Sequence, residues 1–141
     1  MNERIIALDI GDARIGVAVS DASRLIATPI DTIYRVGYGP DVRKVVEICQ
    51  RYDTTQVLSG WPLNMDGTRG PRAEKAEGFA ALLRETTGLP VTLWDERRTT
   101  VDAHNILMAG GKNAKQRKKT VDAVAASLML EGYLTFKKRQ K

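Results

Sequence analysis

Near the N-terminus, Ile5-Ile6-Ala7-Leu8-Asp9-Ile10 is apolar on both faces that a strand would present, and its one interruption is an acid. Successive strand residues point to opposite sides, so Ile5, Ala7 and Asp9 share one face and Ile6, Leu8 and Ile10 the other. A strand apolar on both sides belongs at the centre of a sheet covered on both faces. Asp9 would there lose water at a cost of several kcal/mol unless something compensates its charge. Two compensators are open: hydrogen bonds from the following Gly11-Asp12-Ala13 turn, or a bound metal ion.

The pattern downstream of this strand predicts the remaining elements. Arg14 to Ser20 alternate, with Ile15, Val17 and Val19 on one face and Gly16 and Ala18 on the other. Leu25 to Tyr34 read as a third strand, and the short turns between the three predict an antiparallel meander. Gly37-Tyr38-Gly39-Pro40 breaks the pattern, after which Val42, Val45, Val46 and Cys49 recur at helical spacing. Thr55–Ser59 is a short strand stopped by Gly60-Trp61-Pro62. A polar loop over 63–70 leads to a helix over about 71–86, with Pro71 suited to its first turn and Gly88-Leu89-Pro90 ending it. Residues 91–94 form a fifth strand. A helix capped at Thr99 or Thr100 is expected to reach Met108, and after Gly110-Gly111 and a basic loop a last helix runs from about Thr120 to Phe136. The order βββαβαβαα predicts an α/β fold: a five-stranded mixed sheet, its first three strands antiparallel, with helices on both faces.

With 141 residues the chain suits one domain over 1–141, ending in a basic tail at about 137–141. Its one cysteine, Cys49, excludes an internal disulfide and reads as a buried, inert thiol, with no histidine near it in sequence to activate it. No apolar run is long enough to span a bilayer, and the start Met1-Asn2-Glu3-Arg4 carries no secretory pattern, so a cytoplasmic protein with no membrane partner is expected. Charge is unevenly spread. Residues 110–141 carry nine basic against two acidic side chains, net +7, whereas residues 1–109 are net −2 with 13 basic against 15 acidic. A localised basic region suggests a polyanionic partner. The segment 110–118 joins two glycines to like charges, so it is expected to be poorly ordered until nucleic acid binds.

Two further acidic positions stand out beside Asp9. Asp95-Glu96-Arg97 closes the fifth strand, and adjacent acids on a continuing strand face opposite ways, so one of the two shares a side with Asp9. Asp122 lies in Val121-Asp122-Ala123-Val124-Ala125-Ala126. An acid near a helix start is favoured by the helix dipole alone, but the small alanines let this turn approach the sheet and press Asp122 toward it. If the three acids converge, they offer oxygen ligands to Mg²⁺ or Mn²⁺, and such ions activate water against a phosphodiester. His104, the single histidine, has no evident partner and reads as surface or packing. A rival reading starts from Asp9-Ile10-Gly11, Gly16-Val17-Ala18 and Asp21, which resemble the phosphate hairpin of the actin and sugar-kinase superfamily. Those enzymes close two lobes on a nucleotide, and this chain has room for one.

Together, Asp9-Ile10-Gly11 with Arg14-Ile15-Gly16-Val17-Ala18, Pro62-Leu63-Asn64-Met65-Asp66-Gly67-Thr68, Asp95-Glu96-Arg97 and Lys118 to Ala126 resemble the YqgF/RuvX family, in family order and over about residues 5–135. That family is similar to RuvC resolvases and lies in the RNase H-like superfamily. The resemblance implies a metal-dependent nuclease acting on structured nucleic acid: 5′-end processing of precursor 16S ribosomal RNA, or alternatively resolution of Holliday junctions in DNA. A fold that binds nucleic acid without cutting is a third class. By motif position Asp9, Glu96 and Asp122 carry over as the catalytic, metal-binding acids, with Mg²⁺ or Mn²⁺ as cofactor. One departure from the wider superfamily is that the fourth strand ends Leu58-Ser59-Gly60-Trp61, without an acid, so the second acid comes from the fifth strand. Arg14 and Arg97 would bind the scissile phosphate or pair with the carboxylates. Asn64, Asp66 and Thr68 occupy a loop after a strand, a common place for binding residues, and Lys112, Lys115, Arg117, Lys118 and Lys119 are placed to contact flanking phosphates. A junction cutter would be served by a symmetric homodimer, one site per strand.

Overall fold

The computed structural model describes residues 3–98 and 114–139, with side chains for 3–97 and 121–139. Strands β1 (Arg4–Ile10), β2 (Arg14–Ser20), β3 (Ala27–Tyr34), β4 (Thr54–Trp61) and β5 (Val91–Asp95) form one sheet in the order β3-β2-β1-β4-β5. β1, β2 and β3 pair antiparallel, whereas β4 runs parallel to β1 and β5 parallel to β4. The doubly apolar β1 is central as its sequence requires, with Ile5, Ile6, Ala7 and Leu8 all fully buried. Its two faces feed two cores. Ile6 and Leu8 pack with Val45, Ile48, Phe79 and Leu83 of helices α1 (Tyr38–Arg51) and α2 (Pro71–Thr87). Ile5 and Ala7, on Asp9's face, pack with Ala126, Met129, Leu130 and Tyr133 of the last helix, α3 (Ala114–Arg139). The predicted five-stranded mixed sheet with helices on both faces is thus the fold.

Boundaries differ where packing overrides a local signal. The Gly37–Pro40 break is instead the entry to α1, which begins at Tyr38. Proline is tolerated in a first turn, and the fully buried Asp41 carboxylate fastens this entry by accepting from the backbone N–H of Val36 and from Arg35 Nε. β4 continues through Gly60 and Trp61, because β5 offers Trp94 and Asp95 as ladder partners. β3 starts at Ala27, since the Asp21 carboxylate accepts the N–H groups of Leu25 and Ile26 and holds them in the preceding turn. The expected helix over 99–108, and His104 with it, lie outside the described residues. The largest correction is at α3, which starts at Ala114 and not near Thr120. Residues 114–118 of the expected basic loop are therefore helical, and residues 110–113 lie outside the described residues. Lys137, Lys138 and Arg139 form the last turn of the same helix. No helix among the described residues is long and apolar enough to cross a membrane.

Candidate active site

β1, β4 and β5 are parallel, so their C-terminal ends lie along one edge of the sheet, and the acids gather there. Asp9 is the penultimate residue of β1 and sits opposite Gly16 of β2. Glu96 follows β5 directly and opens a single 3-10 turn, Glu96–Arg98. That turn swings Glu96 over β4. A Cβ placed on Gly60 would stand 2.9 Å from the Glu96 Cδ, so only glycine leaves that carboxyl its seat. Gly60 shares a face with Leu58, which packs in Asp9's core. The Asp9 and Glu96 carboxyls consequently meet and hydrogen-bond each other. Two carboxyls can do so only if one keeps its proton. Burial, first of all, pushes both up: Glu96 reaches about 8, aided by its bond to Asp9, and Asp9 rises as well, aided by the charge of Asp122.

Asp122 reaches this edge by a backbone contact. A Cβ on Gly16 would lie 1.9 Å from the Asp122 carbonyl oxygen, so α3 rests its main chain directly on β2 beside Asp9. The sequence credits the alanines after Asp122 with this approach; Gly16 is the residue that makes it possible. Because α3 begins at Ala114, Asp122 lies more than two turns inside the helix, where an N-terminal dipole effect has faded. Its Oδ2 accepts from Arg14 Nε at 2.6 Å.

The two arginines with open alternatives are both engaged with carboxylates. Arg14 holds Asp122, and Arg97 grips Asp95 through Nε and Nη2 (2.7 Å for Nη2 to Oδ2). Asp95 follows the buried Trp94 on the strand and so faces away from the Asp9 side, as alternation requires. Arg72, which sequence reasoning missed, is an exposed residue in the first turn of α2 whose positive charge lowers both Asp9 and Glu96. The signal is available: a helix that follows β4 by a short loop must begin at the C-terminal edge, and Pro71 marks where. Asn64, Asp66 and Thr68 lie at the same edge, but their polar groups bind one another. Thr68 donates from its N–H and Oγ1 to Asp66 Oδ1, and Asn64 Nδ2 donates to Thr68 Oγ1. Lys115, Arg117, Lys118 and Lys119 fall on the first turns of α3, and Lys112 lies outside the described residues. Cys49 is buried with its thiol pushed up to about 11 by burial, which suits an inert role.

The donors are in kind those of a hard divalent cation, all carboxylate oxygens. Asp9 and Glu96 present two of them already in contact and half-buried, at a desolvation cost that a cation in place of the shared proton would offset. Asp122 is held by Arg14, and among the described residues no three acidic, histidine or cysteine side chains stand ready around one ion. Asp122 would become a third ligand by releasing Arg14.

A five-stranded mixed sheet in the order β3-β2-β1-β4-β5 with helices on both faces is the RNase H-like fold. The solved structures agree on the fold. RuvC from Thermus thermophilus, in complex with a Holliday junction substrate, superposes with a TM-score of 0.61 over 95% of this chain and 96% of that one, at 17% identity. The yeast mitochondrial Holliday junction resolvase Ydc2 gives a TM-score of 0.58 over 98% of this chain and 80% of its own, at 10% identity. Residues 3–136 match the RuvX family, described as Holliday junction resolvase, and the chain belongs to that family. Similar relatives carry the provisional name of pre-16S rRNA nuclease. One from Carboxydothermus hydrogenoformans is 41% identical over 96% of this chain and 99% of its own; one from Lachnospira eligens is 44% identical over the same shares.

Proposed function

We propose that this chain is a metal-dependent nuclease that hydrolyses phosphodiester bonds in structured nucleic acid, acting in the cytoplasm on the 5′ end of precursor 16S rRNA. The observation that carries the chemistry is the half-buried contact between the Asp9 and Glu96 carboxyls at the C-terminal edge of the sheet, with Asp122 brought alongside. The names of the relatives, at 41–44% identity over nearly the whole chain, support the RNA substrate. Asp9, Glu96 and Asp122 would hold Mg²⁺ or Mn²⁺, which when bound activates a water and stabilises the leaving oxygen. Asp9 and Glu96 would give up their shared proton to solvent in order to hold such an ion. Arg14 would then be free to leave Asp122 for the scissile phosphate, for which a guanidinium is well shaped. Arg72 adds positive charge on the α2 side. The basic start of α3, with Lys115, Arg117, Lys118 and Lys119, would follow the flanking backbone, together with Lys112.

Resolution of four-way DNA junctions is the second reading, favoured by the family's description and the RuvC-like fold. It would call for a homodimer, so that each strand meets its own site. The deciding experiment cleaves a precursor-rRNA duplex and a four-way DNA junction side by side, in Mg²⁺, in Mn²⁺ and in excess chelator. Metal-dependent cutting of the RNA alone supports the first reading and of the junction alone the second. Cleavage undiminished in chelator refutes both.

A further inference from the structure

The loop between β4 and α2 holds one large apolar side chain out in water. Met65 is 91% exposed, more than any other large hydrophobic residue among those described. Its surroundings are fastened. The Asn64 N–H donates to the Thr68 carbonyl at 2.9 Å, the Gly67 N–H returns to the Asn64 carbonyl at 2.8 Å, and the Asn64, Asp66 and Thr68 side chains close on one another. Arg97 Nη1 donates to the Met65 carbonyl at 3.1 Å, so the tip is tethered to the residue that follows Glu96. At the other end of the loop, Glu77 of α2 accepts from both Trp61 Nε1 and Arg69 Nε. The polar residues of the Pro62–Thr68 motif thus serve as a frame, and what the frame presents, at the edge where Asp9 and Glu96 meet, is a methionine.

We propose that Met65 is an apolar wedge that enters a base step of the substrate beside the site, so that the preferred substrate has a step that opens readily, such as a branch point or a duplex end. This rests on the nuclease reading and adds a specificity residue to it. Apolar side chains inserted between base steps unstack them and kink the duplex. Methionine is suited to the task, being unbranched and polarizable, and it adapts to whichever bases it meets. A frame already rigid before binding means that little ordering is lost when the wedge engages. Arg97, bound to Asp95 and to the Met65 carbonyl, ties the wedge's main chain to the segment that follows Glu96.

The test uses the full chain with M65A, M65Q and M65L. Fluorescence is read in the D9N background, so that binding is seen without cutting. A precursor-rRNA duplex and a four-way DNA junction each carry 2-aminopurine beside the duplex end or branch. Binding should raise its fluorescence with Met65 or M65L and leave it flat with M65A and M65Q. In the Asp9 background, M65A should cut the paired substrate about 10-fold or more slowly, and a mismatch at the probed step should restore most of the rate because unstacking is then cheaper. Full activity of M65A on the paired substrate, or an equal loss on paired and mismatched substrates with unchanged fluorescence, would overturn the wedge. A wild-type chain that raises the fluorescence but cuts neither substrate would overturn the nuclease reading and leave the wedge standing.

Discussion

The carboxylates of this protein fall into two groups that titrate in opposite directions. At the C-terminal edge of the sheet Asp9 and Glu96 are pushed up, chiefly by burial, Glu96 to about 8. In two surface turns Asp21 and Asp66 are pulled down, first by hydrogen bonds from Ser23 and Thr68 respectively, Asp21 to about 2. The turn acids are surrounded by donors from their own segment: Asp21 accepts from Ser23, Leu25 and Ile26, and Asp66 twice from Thr68. The edge acids are brought together from distant segments and bond to each other. An acid met by local donors stabilises its turn. Partly buried acids whose nearest partner is another acid oppose folding in their charged form, and such sites are candidates for function.

The sharpest way to break this contrast is Asp9→Asn. It keeps the shape and removes the charge, so cleavage should be abolished while the melting temperature in chelator stays the same or rises. Glu96→Gln and Asp122→Asn should lose cleavage too, whereas Asp95→Asn, on the other face, should be milder. Full activity of Asp9→Asn would refute the assignment.

The two glycine seats should separate stability from activity. Gly16→Ala drives a methyl into the main chain of α3, which has nowhere to yield, and should cost about 1–3 kcal/mol or more in denaturant unfolding. Gly60→Ala meets only the end of the Glu96 side chain. It should leave unfolding nearly unchanged and slow cleavage by about 10-fold or more, the range of a misplaced site group. Equal effects of the two on stability would show that the Glu96 seat is also structural.

A pH series in chelator gives a smaller effect. Unfolded Glu96 releases its proton near 4.5 and the folded chain keeps it to about 8, so between those values the folded state binds more protons. Its contribution to stability is fully present below 4.5 and is lost as pH rises toward 8. Melting temperatures should fall across that window, less steeply in Glu96→Gln, and an unchanged slope in the variant would remove Glu96 as the cause. The turn acids show the opposite sign and the smallest effect. Asp21, normally near 3.8, contributes stability above that value and loses it as pH falls toward 2. An NMR titration of the Asp21 carboxyl should place its midpoint well below 3.8; a midpoint at 3.8 or above would argue against the turn bonds.

Much of the fold is legible in the sequence because its signals are local. The two apolar faces of residues 5–10, the alternation of 14–20 and the helical stripes each follow from burial acting on a fixed backbone period. The misread boundaries lie where a long-range partner outweighs a local breaker. Gly60 and Trp61 stay in β4 because β5 pairs with them, and Gly37–Pro40 enters α1 because Asp41 and Arg35 close that corner. At the candidate site, Asp9 is conspicuous as an acid in an apolar strand; alternation says only that one of Asp95 and Glu96 can share its face, and the family resemblance points to Glu96. The loop residues Asn64, Asp66 and Thr68 read as substrate contacts because polar loop residues often are, but that they bond to one another depends on how the folded loop closes.

The sequence by itself determined that β1 would be central, that it would carry an acid on one face, and which residues could stand beside that acid, since residue type and backbone period need no knowledge of distant segments. Only the tertiary structure decided which charges meet. That depends on gaps of one methyl group, at Gly16 under the α3 main chain and at Gly60 under Glu96, and on arginines that take up Asp122 and Asp95. Electrostatic and steric terms at such distances change over fractions of an ångström, a scale that a one-dimensional pattern does not carry.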